Sequence, residues 1–303
     1  MSNSFHLAGI VPAASRPTGV NLPWSDNLVP VAPNYFAIEY AVHQAAWAGC
    51  ETIWVVCEQS ATPLIRRRMG DFTYDPTSIG SKKLSRQPDQ WRKLIPIYYV
   101  PIRVQDAHKD QCLPWSIIEG AMVANRICGQ ISKWTKPQRF FVSFPFGIYP
   151  HQAVRPFRTV LSNPTKPNLF FTHNGMSVKT ENHLPFSFGQ AELDSFLDNF
   201  KMFENSMISG QMLEECKAVF TNDTDLAILY DGNELPLDNT LEVDWFHQID
   251  TWQGYKTFLG DSVSDQIRFP GRIFISYHEW NPIAEDLEDA TEEDDNDADD
   301  SRE

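Results

Sequence analysis

The chain has 303 residues, 42% hydrophobic, 21% charged and 13% aromatic, enough apolar material for a large core and too much for a disordered chain. Its net charge of −15 is concentrated in residues 285–303, where twelve acids and one arginine stand together; 28 acids face 24 lysines and arginines elsewhere. The body is therefore close to neutral, which argues against a general nucleic-acid binder, and no uncharged apolar run approaches the roughly 18–20 residues that cross a bilayer.

In chain order, His6–Val11 reads as a first strand that breaks at Pro12 into a loop of more than twenty residues. A loop of that length in a compact domain is usually functional. A helix follows over about 36–48, with Ile38, Ala41, Val42, Ala45 and Ala46 on one face and Gly49 as its stop. Thr52–Cys57 is an apolar run suited to a strand buried on both faces. A helix over 61–68 ends in three arginines and opens a basic insertion near 66–93, where eight lysines and arginines face three aspartates. Ile95–Val100 reads as a strand, 115–131 as a helix with an Ile117, Ile118, Ala121, Ala124 and Ile127 stripe, and Phe140–Phe144 as a strand. A helix near 152–161, a strand near 169–172, a hairpin turn at Asn174-Gly175 and helices near 191–203 and 210–216 come next. The chain closes with a strand near 241–246, a short helix at 252–259 and a strand over 272–277.

Strands alternating with helical segments predict an α/β fold, a mostly parallel central sheet with helices on both faces. The predicted organisation is one domain over 1–284 and a disordered acidic tail over 285–303. Cys50, Cys57, Cys112, Cys128 and Cys216 lack CxxC spacing and read as reduced thiols. With no signal peptide expected at the amino terminus, they point to a cytoplasmic protein. The eight histidines show no zinc spacing, no serine sits in a Gly-x-Ser-x-Gly elbow, and neither a Walker-type nor a Gly-x-Gly-x-x-Gly motif occurs.

The chemistry-bearing succession is Gly9-Ile10-Val11-Pro12-Ala13-Ala14-Ser15-Arg16, then Leu22-Pro23, Leu28-Val29-Pro30-Val31, Ile38-Glu39-Tyr40-Ala41-Val42, Ala48-Gly49 and Ile53-Trp54-Val55-Val56. In order and spacing it resembles the amino-terminal half of sugar-1-phosphate nucleotidyltransferases, above all the glucose-1-phosphate uridylyltransferase branch. Two weaker echoes follow. The 115–131 helix stands at the place of the family's Gly/Ala-rich helix, and Ile249-Asp250-Thr251-Trp252-x-Gly254-Tyr255 is similar to its closing Asp-x-x-Thr-x-x-Asp-Tyr element.

The resemblance implies a nucleotide-diphospho-sugar transferase (GT-A-like, Rossmann-like) fold. It also implies transfer of a nucleotidyl group from a nucleoside triphosphate to a sugar 1-phosphate, with Mg²⁺ and release of pyrophosphate. On that basis Pro12, Ala13, Ala14, Ser15 and Arg16 would line the nucleotide loop, Arg16 would grip the pyrophosphate side, and Asp250 would serve the metal. Such chemistry gathers negative charge at one place, so it calls for backbone N–H groups, a cation and metal-holding carboxylates.

The sequence also departs from the pattern. Only Ser15 separates Ala14 from Arg16, Trp24-Ser25-Asp26 follows Pro23 where a lysine is expected, and Pro145-Phe146-Gly147 stands where a Gly-Asp pair would hold metal. Asp26, Asp106, Asp110 and Asp250 are the candidate substitutes. These departures keep two alternatives open: a catalytically degenerate relative used as a binding or structural component, and a glycosyltransferase of the same fold, for which Asp223-x-Asp225 would be the metal motif. The basic insertion could act as a lid over phosphate or receive the acidic tail. No membrane partner is expected, and homo-oligomerisation is left open.

Overall fold

The computed structural model describes residues 5–14, 19–20, 22–79, 94–103, 106, 109, 112–131, 136–163, 165–180, 182–210, 226–230, 239–270 and 274–275. The strands are β1 (Leu7–Ala13), β2 (Pro30–Ala32), β3 (Tyr35–Phe36), β4 (Thr52–Cys57), β5 (Phe72–Tyr74), β6 (Leu94–Pro101), β7 (Arg139–Val142), β8 (Gly147–Ile148), β9 (Phe170–Thr172), β10 (Phe186–Gly189), β11 (Thr240–Glu242), β12 (His247–Gln248) and β13 (Phe274–Ile275). The α-helices are α1 (Ala37–Ala48), α2 (Thr62–Met69), α3 (Pro76–Ile79), α4 (Leu113–Ile131), α5 (Arg158–Leu161), α6 (Gln190–Gly210) and α7 (Trp252–Gly260).

Nine strands share one sheet in the order β11-β9-β10-β7-β1-β4-β6-β5-β13. Strand β1 runs parallel to β4 and β7, β4 to β6, and β9 to β11. Only β5 and β10 are antiparallel to their neighbours, so seven of the nine strands point the same way. Alternation along β1 sends Ala8 and Ile10 into the core under α4 and α6, and Leu7, Val11 and Ala13 into the core under α1. The expected α/β class with helices on both faces is thus observed.

Two glycines let the helices close on β1. A Cβ on Gly9 would lie 3.0 Å from Ala45 Cβ and 3.1 Å from Cys50 Sγ. One on Gly120 of α4 would lie 2.9 Å from Val56 Cγ2 and 3.0 Å from Ile10 Cγ2. Helix α1 is buried on nearly every side, because Ile38, Ala41 and Ala45 face the sheet while Ala37 and Tyr40 face a third cluster with Val29, Ile148, Ile249 and Phe258. Gly49 caps it with φ 90°, as expected for an αL stop.

Some boundaries differ from the sequence reading. Strand β1 does not break at Pro12 but continues to Ala13. Ile10 O accepts from Ser143 N, and successive residues alternate sides, so the N–H that Pro12 lacks would point past the end of β7, whose register stops at Ile10↔Val142. The 152–161 helix is broken into 3₁₀ turns at His151–Ala153 and Arg155–Phe157 before α5, with Pro156 inside the second turn. The basic insertion is partly ordered, since β5 lies within it and pairs with β6. Strand β10 escaped the sequence reading, and the 241–246 strand shortens to β11.

The hairpin turn forms, with Asn174 at φ 51° and Gly175 at φ 77°. The remainder of the basic insertion, residues 80–93, lies outside the described residues, as do 211–216, Asp110, Asp223, Asp225 and the acidic tail. Among the described residues no helix is long and apolar enough to cross a membrane.

Candidate functional site

In an open, mostly parallel sheet, ligands bind where the strands deliver their carboxyl ends. Here that rim is formed by Ala13 of β1, Cys57 of β4, Pro101 of β6 and the segment that leaves β7 at Ser143. Pro12 and Ala13 are the last two residues of β1, and Ala14, 3% exposed, begins the loop. Ser15 and Arg16 lie outside the described residues. The loop re-enters at Gly19 and Val20.

Gly19 forms a parallel bridge with Thr251, close enough that a Cβ on Gly19 would stand 3.0 Å from Thr251 Cα. Thr251 caps α7 by accepting from Gly254 N at 3.1 Å, and Asp250 immediately precedes it. The two sequence segments that resemble nucleotidyltransferase motifs, more than two hundred residues apart, therefore touch at the rim.

The rest of the loop is fastened from beneath. Asn27 Nδ2 donates to Ala13 O at 2.7 Å, and Asp26 Oδ1 accepts from Leu22 N at 2.9 Å. That bond gives Asp26 a structural task in the turn. On the β7 side, Gln248 Nε2 donates to Asp250 Oδ2 at 2.6 Å while Gln248 Oε1 accepts from His183 N at 3.2 Å. The His183 ring stacks on Phe144, with centroids 5.2 Å apart and planes at 19°. Burial lowers the His183 pKa, and the Asp250 charge opposes that shift. Gly147 is required there, since a Cβ on it would collide with the His183 carbonyl. Pro145, Phe146 and Gly147 stand where the resemblance puts a metal-binding aspartate, and Phe146 is only 3% exposed.

Across the rim, Arg103 follows β6. Its Nε lies 3.3 Å from Oε1 of Glu119, a carboxylate on α4 with 3% side-chain exposure. Burial raises the Glu119 pKa, Arg103 lowers it and Asp106 raises it further. Lys109, also buried, lies 2.8 Å from Glu204 and 4.2 Å over the Trp115 ring, and is 3.9 Å from Asp106.

Four buried atoms of this rim lack a hydrogen-bond partner among the described residues: Asn27 Oδ1, Trp115 Nε1, Glu119 Oε1 and His183 Nδ1. Each such group costs about 1–3 kcal/mol unless a partner satisfies it. Asn27, Arg103, Glu119 and His183 were not singled out from sequence. Only Glu119 carried a signal, as an acid inside the apolar stretch Ile117–Ala121.

Of the four candidate carboxylates, Asp26 lies in the loop itself and Asp250 precedes the Thr251 that bridges to Gly19. Among the described residues, no three of His, Cys, Asp and Glu cluster so as to hold a metal ion. The described side chains therefore do not fit a resident metal.

These features define an α/β protein whose candidate site lies at the carboxyl rim of a mostly parallel sheet, between the β1 loop and the segment before α7. No family model and no curated protein matches the chain. Among solved structures it is similar to a Mycobacterium tuberculosis H37Rv protein, with 14% identity and TM-score 0.48, covering 85% of this chain and 100% of that one. It is also similar to a UDP-glucose pyrophosphorylase complexed with UDP-glucose, with 11% identity, TM-score 0.48 and coverage of 86% and 98%. A third is a nucleoside-diphosphate-sugar pyrophosphorylase from Vibrio cholerae RC9, with 9% identity, TM-score 0.44 and coverage of 84% and 100%. The Mycobacterium tuberculosis protein has also been solved with manganese. The fold class rests on the chain's own strand order and directions.

Proposed function

We propose that this chain binds a nucleoside triphosphate at the carboxyl rim of its sheet and transfers the nucleotidyl group to a sugar 1-phosphate. A phosphate oxygen of the sugar phosphate attacks the α-phosphorus, and the bond to the leaving pyrophosphate breaks. The observation that carries this reading is the Gly19–Thr251 bridge, which sets the loop resembling the nucleotide-binding element against the Asp250 segment resembling the closing element.

In this reading Pro12, Ala13 and Ala14 form the floor of the nucleotide loop, with Ser15 and Arg16 beyond them, Arg16 taking the pyrophosphate side. Mg²⁺ enters as the counter-ion of the triphosphate, and Asp250 is the carboxylate that the closing segment sets beside the Gly19–Thr251 bridge. Buried thiols at Cys50, Cys57, Cys112 and Cys128 support a cytoplasmic setting. Calorimetry with UTP, dTTP, CTP, GTP and ATP, with and without Mg²⁺, tests the binding step. Pyrophosphate release on adding glucose 1-phosphate and other sugar 1-phosphates tests the transfer. Saturable binding of one nucleotide that Arg16→Ala abolishes supports the proposal; a folded sample that binds none refutes it.

A second reading, a relative that keeps nucleotide or partner binding without transfer, is favoured by the buried Phe146 in the segment where the resemblance puts a metal-holding acid. It predicts nucleotide binding with no pyrophosphate release for any sugar phosphate.

A further inference from the structure

We propose that Arg103 is a phosphate-binding residue of the rim site, and that the buried Glu119 aims it. The inference rests on the nucleotide reading of that site and adds a residue which neither the loop pattern nor the closing element contains.

Its position comes first. Ile102 N still donates to Cys57 O at 3.2 Å, so Arg103 is the first residue past the last contact between β6 and β4, on the rim itself. Its anchor comes next. Glu119 stands on α4, whose next residue, Gly120, packs its backbone against Ile10 and Val56 with no room for a Cβ. Glu119 Oε1 attracts Arg103 Nε at 3.3 Å, leaving both terminal nitrogens of the guanidinium without a partner among the described residues, on a side chain 41% exposed. An arginine whose Nε faces a carboxylate turns its outer edge away from that acid, and the two terminal nitrogens form a donor fork that matches a phosphate oxygen pair.

The other well-placed cations are spent. Arg68 is bound to Glu39, Arg158 to Asp75, Arg66 to Asp71, Lys109 to Glu204, and Arg139 to main-chain carbonyls. Arg103 stands at the rim itself and meets its acid through Nε. Glu119 adds an independent observation. Its Oε1 is buried without a true hydrogen bond, a costly arrangement if the pair served only the core. The cost is intelligible if the pair is set for an anion. When phosphate arrives, the guanidinium keeps Glu119 on one edge and takes the anion on the other.

The test is calorimetric titration of the full chain with inorganic pyrophosphate and with UTP, each with Mg²⁺. Arg103→Ala should weaken both at least tenfold with an unchanged circular-dichroism spectrum, and Arg103→Lys should recover part of the loss. Glu119→Gln, which keeps the volume and removes the charge, should weaken both about three- to tenfold. Should Arg103→Ala fail to fold, Arg103→Gln carries the same expectation. Arg103 variants that bind within twofold of the parent overturn the proposal while leaving the nucleotide site standing. A parent chain that binds pyrophosphate in an Arg103-dependent way but no nucleotide supports Arg103 and overturns the nucleotide reading. Binding of neither overturns both.

Discussion

Acidification should unfold this protein through two largely buried histidines. His43 of α1 and His151 lie with ring centroids 5.1 Å apart, beneath Tyr40 and beside Trp47. His43 Nδ1 is 3.0 Å from the Tyr35 hydroxyl, and His151 Nδ1 is buried without a partner among the described residues. Burial drives the His43 pKa down to about 3, with His151 adding to the effect, and burial alone drives His151 to about 4. In the unfolded chain both titrate near ~6.5. Between those limits the unfolded state binds more protons, so stability is fully present above about pH 6.5 and is lost as the pH falls toward 4 and 3. From pH 7 to pH 5, each histidine that protonates only on unfolding costs about 1.9 kcal/mol, so the pair costs about 4 kcal/mol. Urea denaturation at the two pH values measures this directly. His43→Gln should lower stability at both but roughly halve the difference between them. A parent chain whose stability changes by less than about 1 kcal/mol, or a variant with an undiminished pH dependence, would refute the reasoning.

Asn27→Asp should place a carboxylate oxygen against the Ala13 carbonyl that Nδ2 now serves at 2.7 Å, detaching the loop and weakening nucleotide binding about tenfold or more in the same calorimetric assay. Gly120→Ala drives a methyl to 2.9 Å from Val56 Cγ2, and thermal melting should show a loss of about 1–3 kcal/mol. Asp75→Ala removes the buried partner of Arg158, and urea denaturation at pH 7 should register about 3–5 kcal/mol. The arginine lowers the Asp75 pKa against the opposing effect of burial, so this ion pair's contribution should fade in the parent as pH falls below the ordinary aspartate range near ~3.9.

Strands with continuous apolar runs were legible because burial on both faces leaves no other pattern: Thr52–Cys57 matches β4 residue for residue. Helices α1 and α4 declared themselves through apolar stripes and, for α1, a terminal glycine. Strand β10 was hidden because Phe186–Gly189 is four residues long and flows directly into α6. Pro12 misled because proline usually ends a strand, and only the early stop of β7 makes it tolerable here. Of the site, the Pro12–Ala14 strand end and Asp250 could be read from their order in the chain. Asn27, His183 and the Arg103–Glu119 pair could not, since each acquires its meaning from a neighbour that only the folded chain supplies.

The Gly19–Thr251 bridge bears on synthesis. A ribosome delivers residue 19 long before residue 251, and long-range contacts of this kind form late. The central strands β1, β4, β6 and β7 are complete by Val142, so a nascent chain can assemble its central sheet while Gly19 still waits for Thr251. A fragment ended before residue 240 should therefore bury much of its core yet lack the seam that closes the rim.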